Sequence, residues 1–137
     1  MMKDKYATFD SKSKEAFNIA QLGSLLARKQ EYLSQIRYDT NGADVLAYNV
    51  ATNETRAIQV KGRIHVHRRY LNRNLWIAFP NWLDNNHQAW YLIPHDILVE
   101  LWGLEKIQNL DEGTFSLKIP KKLIESLGKY VLGSIVF

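Results

Sequence analysis

Asp44 and the run Gln59-Val60-Lys61 are the residues whose types and spacing offer chemistry. They sit in two β-rich stretches, ADVLAYN and RAIQVKGRIHVH, joined by Val50-Ala51-Thr52-Asn53-Glu54-Thr55. Two such stretches around a short polar loop predict a hairpin. With the turn centred between Thr52 and Asn53, Asp44 lies across from Lys61 and Leu46 across from Gln59. Side chains alternate along a strand, so Asp44, Gln59 and Lys61 share one face. That face suits a hard divalent cation, Mg2+ or Mn2+, held beside a phosphate. Asp44 would be the anionic ligand, Gln59 a neutral oxygen and the Val60 carbonyl a third. Lys61 would hold or polarise an attacking water and offset charge developing on phosphorus. An acid and a lysine across a hairpin are most often an exposed pair worth ~0.2–1 kcal/mol, so the context has to decide.

The charge distribution supplies part of that context. The chain has 137 residues with 18 basic and 14 acidic side chains, a net +4. Residues 1–54 are neutral, and residues 84–137 are slightly acidic. Residues 55–83 hold Arg56, Lys61, Arg63, Arg68, Arg69 and Arg73 without one acid, so the whole excess lies there. Tyr70, Trp76 and Trp82 fall within the same segment, a mixture that suits phosphate backbone and base stacking. Trp82, between Pro80-Asn81 and a polar loop, is the tryptophan expected at the surface.

The elements that must position these residues read as one α/β domain over residues 1–137. Phe17, Ile19, Leu22, Leu25 and Leu26 recur at helical spacing and predict a helix over 13–31, with Ser11 or Ser13 as its cap. Gln21 is flanked by Phe17 and Leu25, so its amide points toward whatever that face covers. YLSQIRY reads as a strand and Thr40-Asn41-Gly42 as a turn. LWIAFP and QAWYLIP are two further strands around Asp84-Asn85-Asn86-His87. Ile93-Pro94 and Ile119-Pro120 each end a strand and open a helix, HDILVELWG and KKLIESLGKY, where the first turn can do without an N–H. VLGSIVF closes as a last strand. The expected architecture is a mixed, largely antiparallel sheet, the first helix on one face and later helices on the other or at the edge. Absent cysteine excludes disulfides, thiol nucleophiles and Cys-ligated metals. No apolar run approaches the ~18 residues of a membrane span, which makes a soluble cytoplasmic domain the default expectation.

The order helix, Gly42-Ala43-Asp44, then Gln59-Val60-Lys61-Gly62-Arg63, with Tyr91-Leu92-Ile93-Pro94 after it, resembles the PD-(D/E)XK nuclease superfamily. It is most similar to Mrr-like restriction endonucleases, Holliday-junction resolvases and related homing endonucleases, over roughly residues 13–100. The resemblance implies a restriction-endonuclease-like mixed sheet flanked by helices and Mg2+-dependent hydrolysis of DNA phosphodiesters. Asp44 and Gln59 would be metal ligands, Lys61 the catalytic lysine, and Gln21 would stand at a helix position that often carries Glu. Arg56, Arg63, Arg68, Arg69 and Arg73 would grip phosphates, and a homodimer would bring two sites to two strands.

The sequence departs from the family pattern at three places. Ala43 stands where proline is common, Gln59 replaces the second acid as in QxK branches, and Gln21 replaces the helix acid. Asp44 is the one clear carboxylate, with Glu31 and Asp39 as further carboxylates nearby in sequence. A nucleic-acid-binding module with a degenerate site is the alternative, and an interaction protein meeting an acidic partner is the third reading. His65 and His67 share a strand face without a third ligand at suitable spacing, and neither His87 nor His95 accompanies a nucleophilic serine elbow.

Overall fold

Asp10, rather than Ser11 or Ser13, starts the first long helix: its carboxylate accepts the Ser13 N–H at 2.7 Å. The helix, α2 (Ser11–Ala27), ends before Gln30, whose φ of 60° breaks the helical run. A short α1 (Met2–Ala7), not expected from the sequence, precedes it. The structure, a computed structural model, describes residues 1–40, 42–103 and 113–137, residues 36–40 by their main chain alone. The side chain of Asp39 and the residue Asn41 of the expected turn therefore lie outside the described residues.

β1 (Glu31–Thr40), β2 (Ala43–Asn49) and β3 (Glu54–Val60) form an antiparallel meander. After β3 come β4 (His65–Val66), β5 (Leu75–Asp84), β6 (His87–Pro94) and α3 (His95–Trp102). The chain finishes with β7 (Thr114–Phe115), α4 (Lys121–Ser126) and β8 (Val131–Val136). Six strands make one sheet in the order β1-β2-β3-β5-β6-β8, and β4 pairs with β7 in a second small sheet. Only β3 and β5 run parallel, with Ala57 opposite Leu75 and Val60 opposite Ala78. A parallel pair cannot be closed by a tight turn, so residues 61–74 must cross over one face of the sheet. That crossover carries Lys61, Arg63, Arg68, Arg69 and Arg73 of the basic segment, while Arg56 stays in β3.

The two faces have separate cores. Leu22, Leu25 and Leu26 of α2 pack on Val45, Ala47, Ile58, Val60, Ala78, Trp90 and Leu92. On the other face, Ile64 and Val66 of the crossover join Ile77, Phe79, Tyr91 and Ile93 with Leu98, Val99 and Leu123 of α3 and α4. Because β5 and β6 are covered on both sides, their central residues are buried in near-continuous runs. The expected mixed α/β sheet with helices on both faces is the observed one. Trp82 departs from expectation. It is half-buried, its ring 6.0 Å from Tyr6 and 5.6 Å from Phe137, in an aromatic cluster with Phe9 and Phe17. The N-terminal helix, which has no strong sequence signal of its own, supplies one of the two rings against it, Tyr6, and the C-terminal Phe137 supplies the other.

Candidate active site

The β2–β3 turn is centred one residue earlier than its sequence suggests. Asn49 Oδ1 accepts the N–H groups of Ala51 and Thr52 at 2.9 and 3.0 Å, and Asn53 takes a φ of 63°. This Asx-type turn closes on the pair Asn49–Glu54 and sets Val45 against Ile58 and Leu46 against Ala57. Continued by one residue, that register puts Asp44 against Gln59, not against Lys61. Since the slip is two residues, the shared face survives it. Asp44 and Gln59 lie on the face opposite the α2 core, on the side crossed by residues 61–74.

Each group of the constellation has a defined setting. Gln59 is buried, at 8% exposure, while Asp44 is half-buried. One Asp44 carboxylate oxygen, Oδ2, accepts the Val60 N–H at 3.0 Å, completing the ladder where β2 begins. β3 ends at Val60, earlier than the continuous RAIQVKGRIHVH strand expected, because the chain must leave the sheet to cross over. Lys61 still donates its N–H to the Ala78 carbonyl at 2.9 Å, which fixes its backbone against β5. The Lys61 ammonium stands 5.7 Å from the centroid of the Tyr70 ring.

Tyr70 organises this corner, and it entered the sequence reading only as an aromatic among arginines. It is 2% exposed and packs with Ala43 and Leu75. A Cβ on Gly42 would lie 2.7 Å from two carbons of its ring, and Gly42 has a φ of +88°. Glycine at 42 is therefore required both by conformation and by space, two residues before Asp44. Arg69 lies 5.0 Å from the same ring centroid and donates to the Tyr70 hydroxyl at 2.9 Å. One buried phenol thus gathers Lys61, Arg69 and the start of β2. Nothing in local sequence links residue 70 to residue 42, which is why spacing alone does not find it.

The other crossover cations, Arg63, Arg68 and Arg73, are exposed. The Arg63 guanidinium sits 3.9 Å from the centroid of Phe115, a ring 53% exposed on β7. His65 is pushed down to about 4, first by burial and then by the charges of Lys61, His67, Arg69 and Arg63, so it is neutral at pH 7. Burial likewise lowers His95, although Asp96 beside it acts in the opposite direction.

Two expected site residues fall elsewhere. Arg56 has the other strand parity, so alternation points it to the α2 face. There it grips the buried Glu31 carboxylate through Nε at 3.0 Å and Nη2 at 2.7 Å, and it lies 4.5 Å from the centroid of Trp76. Its Nε and Nη2 are thereby engaged with Glu31 on the α2 face, away from the crossover cations. Gln21 is half-buried beside the α2 core stripe of Asn18, Leu22, Leu25 and Leu26. It belongs to the opposite face of the sheet from Asp44 and Gln59, and no hydrogen bond among the described residues joins it to them.

Among the described residues there is no cluster of three or more His, Asp or Glu side chains arranged to hold a metal. The donors that the register does bring together, one carboxylate, one amide and the Val60 main chain, are hard oxygens of the kind Mg2+ or Mn2+ accepts. With a single carboxylate they would supply only part of a shell for such a cation. No described helix is long and apolar enough to cross a membrane. No protein-family model, curated protein or solved structure matches the chain. The nuclease resemblance therefore rests on the quoted residues themselves.

Proposed function

We propose that the protein is a Mg2+-dependent DNA endonuclease of the restriction-endonuclease-like type, acting as a homodimer in the cytoplasm. One observation carries the reading. The β2–β3 register sets Asp44 beside Gln59 on the face over which the crossover brings Lys61 and a run of arginines.

Asp44, Gln59 and the Val60 carbonyl would hold the cation. When bound, the metal supplies Lewis-acid polarisation and a more acidic water. Lys61, fixed by its N–H to Ala78 and by the Tyr70 ring, orients the water and stabilises negative charge as the phosphorus–oxygen bond to the leaving hydroxyl breaks. Arg63, Arg68, Arg69 and Arg73 neutralise flanking phosphates, a contribution that falls steeply with salt and carries no sequence preference. Two copies related by a two-fold axis would meet the two strands of a duplex.

A second reading, a DNA-binding protein with a degenerate nuclease site, has its own support. The Asp44 carboxylate already satisfies the Val60 N–H, and residues 21 and 59 are amides. Supercoiled plasmid incubated with Mg2+ or Mn2+ separates the two. The endonuclease reading predicts nicking that EDTA abolishes and that Asp44→Asn lowers at least 100-fold. Retained DNA binding without nicking in either metal establishes the second reading instead. Size-exclusion chromatography with and without DNA tests the dimer.

A further inference from the structure

We infer that His95 is a positioning residue, a buried clamp that holds the basic crossover in the shape that meets DNA. The inference rests on the reading of residues 61–74 as the phosphate-contacting segment and adds what keeps that segment in place. The segment is long for an unsupported connection. Apart from the two-residue β4 and a single 3-10 turn over Arg68–Tyr70, it has no regular structure. Something outside it must fix its path.

His95, the first residue of α3, is 0% exposed and reaches the crossover at two points directly and at a third through Asp96. Its Nε2 accepts the His67 N–H at 3.1 Å. An accepting Nε2 leaves the ring proton on Nδ1, from which it is donated to Asp96 Oδ1 at 3.1 Å. The other oxygen of Asp96 accepts the Asn72 N–H at 3.0 Å. Between these tethers, the Tyr70 ring meets the imidazole edge-to-face at a centroid distance of 5.5 Å. His95 and Asp96 thus hold residues 67, 70 and 72, which bracket Arg68 and Arg69 and place the ring that Lys61 and Arg69 share. The sequence offers His95 only as a lone histidine after Ile93-Pro94. Its burial and its acceptor role, not its reactivity, are what assign it.

The account separates acceptance from bulk. Glutamine at 95 can present an acceptor near the place of Nε2, whereas leucine fills the space and leaves the His67 N–H unsatisfied. Backbone amide exchange and fluorescence anisotropy with a labelled duplex at low salt read the two consequences independently. In His95→Leu, the His67 and Asn72 amides should exchange about tenfold faster or more, with β5 and β6 unchanged, and duplex affinity should fall about tenfold, the worth of one buried bond. His95→Gln should restore both to within about twofold of wild type on the same scale. Asp96→Ala, a change at a half-exposed side chain, should free the Asn72 amide even if His95→Leu does not fold. Unchanged exchange at His67 and Asn72 in a folded His95→Leu or in Asp96→Ala overturns the clamp. So does faster exchange with wild-type affinity and salt dependence, since the crossover would then not need holding. If the wild type binds no DNA even at low salt, the nuclease reading fails, and the amide exchange alone supports or overturns the clamp.

Discussion

The two faces of β3 put the same residue types to opposite uses. On the α2 side, Arg56 is bidentate to Glu31, and both lie against the core that α2 covers. On the crossover side, Arg63 and Arg69 lie on aromatic rings, and among the described residues no carboxylate pairs with either. One guanidinium is half-buried and neutralised by a buried carboxylate, and the others are exposed. What decides between the two is strand parity and then the departure of the chain from the sheet at Lys61. A charge run in sequence is therefore not yet a binding surface; the fold subtracts from it.

The difference is sharpest in Arg56→Ala. Its loss leaves the Glu31 carboxylate buried without its partner and should lower stability by about 3 kcal/mol in urea denaturation. Duplex affinity of the folded variant should stay at the wild-type level. A smaller penalty with weakened DNA binding would move Arg56 back among the phosphate contacts. Gly42→Ala should cost about 2 kcal/mol, because the left-handed backbone and the Tyr70 ring both oppose a Cβ. Unlike Arg56→Ala, it should also weaken DNA binding by displacing the ring under Lys61 and Arg69.

Arg63→Ala combined with Arg69→Ala should show the reverse profile. Stability should change by less than about 1 kcal/mol, while the slope of log affinity against log salt flattens by about two, one unit per lost phosphate contact. Retention of the wild-type slope would show that these side chains do not meet the backbone. The histidines give the mildest effect. In the folded chain His65 titrates at about 4 and His95 below its ordinary value of 6.5, whereas both titrate near 6.5 when unfolded. Between those limits the unfolded state binds more protons, so this contribution is full above pH 6.5 and is lost as pH falls toward 4. Urea midpoints at pH 7.5, 5.5 and 4.5 should fall in that order, and His65→Gln should flatten the trend.

Which parts of this were legible in the sequence follows from how local each cause is. Period and proline placement located β5, β6, α3, α4 and β8, and alternation put Asp44 and Gln59 on one face despite a turn misplaced by one residue. The Asx turn at Asn49 moved the register, and its effect on pairing could not be read from propensity. The crossover was invisible because RAIQVKGRIHVH has the composition of one strand; only the parallel pairing of β3 with β5 requires it to end at Val60. Long-range packing hid the remainder. Tyr70 against Gly42, His95 under His67, and Trp82 beneath α1 are contacts between residues whose local sequences carry no mark of one another.

The central claim is that the face shared by Asp44, Gln59 and Lys61 cleaves phosphodiester bonds. It meets its most direct test in the conversion of supercoiled plasmid to open circles by wild type and Lys61→Ala at equal concentration in Mg2+. The account predicts nicking by the wild type and a loss of at least about 100-fold in Lys61→Ala, the scale expected for removing a charge that stabilises the transition state. Equal nicking by the two proteins, or none by either in Mg2+ or Mn2+, would contradict it.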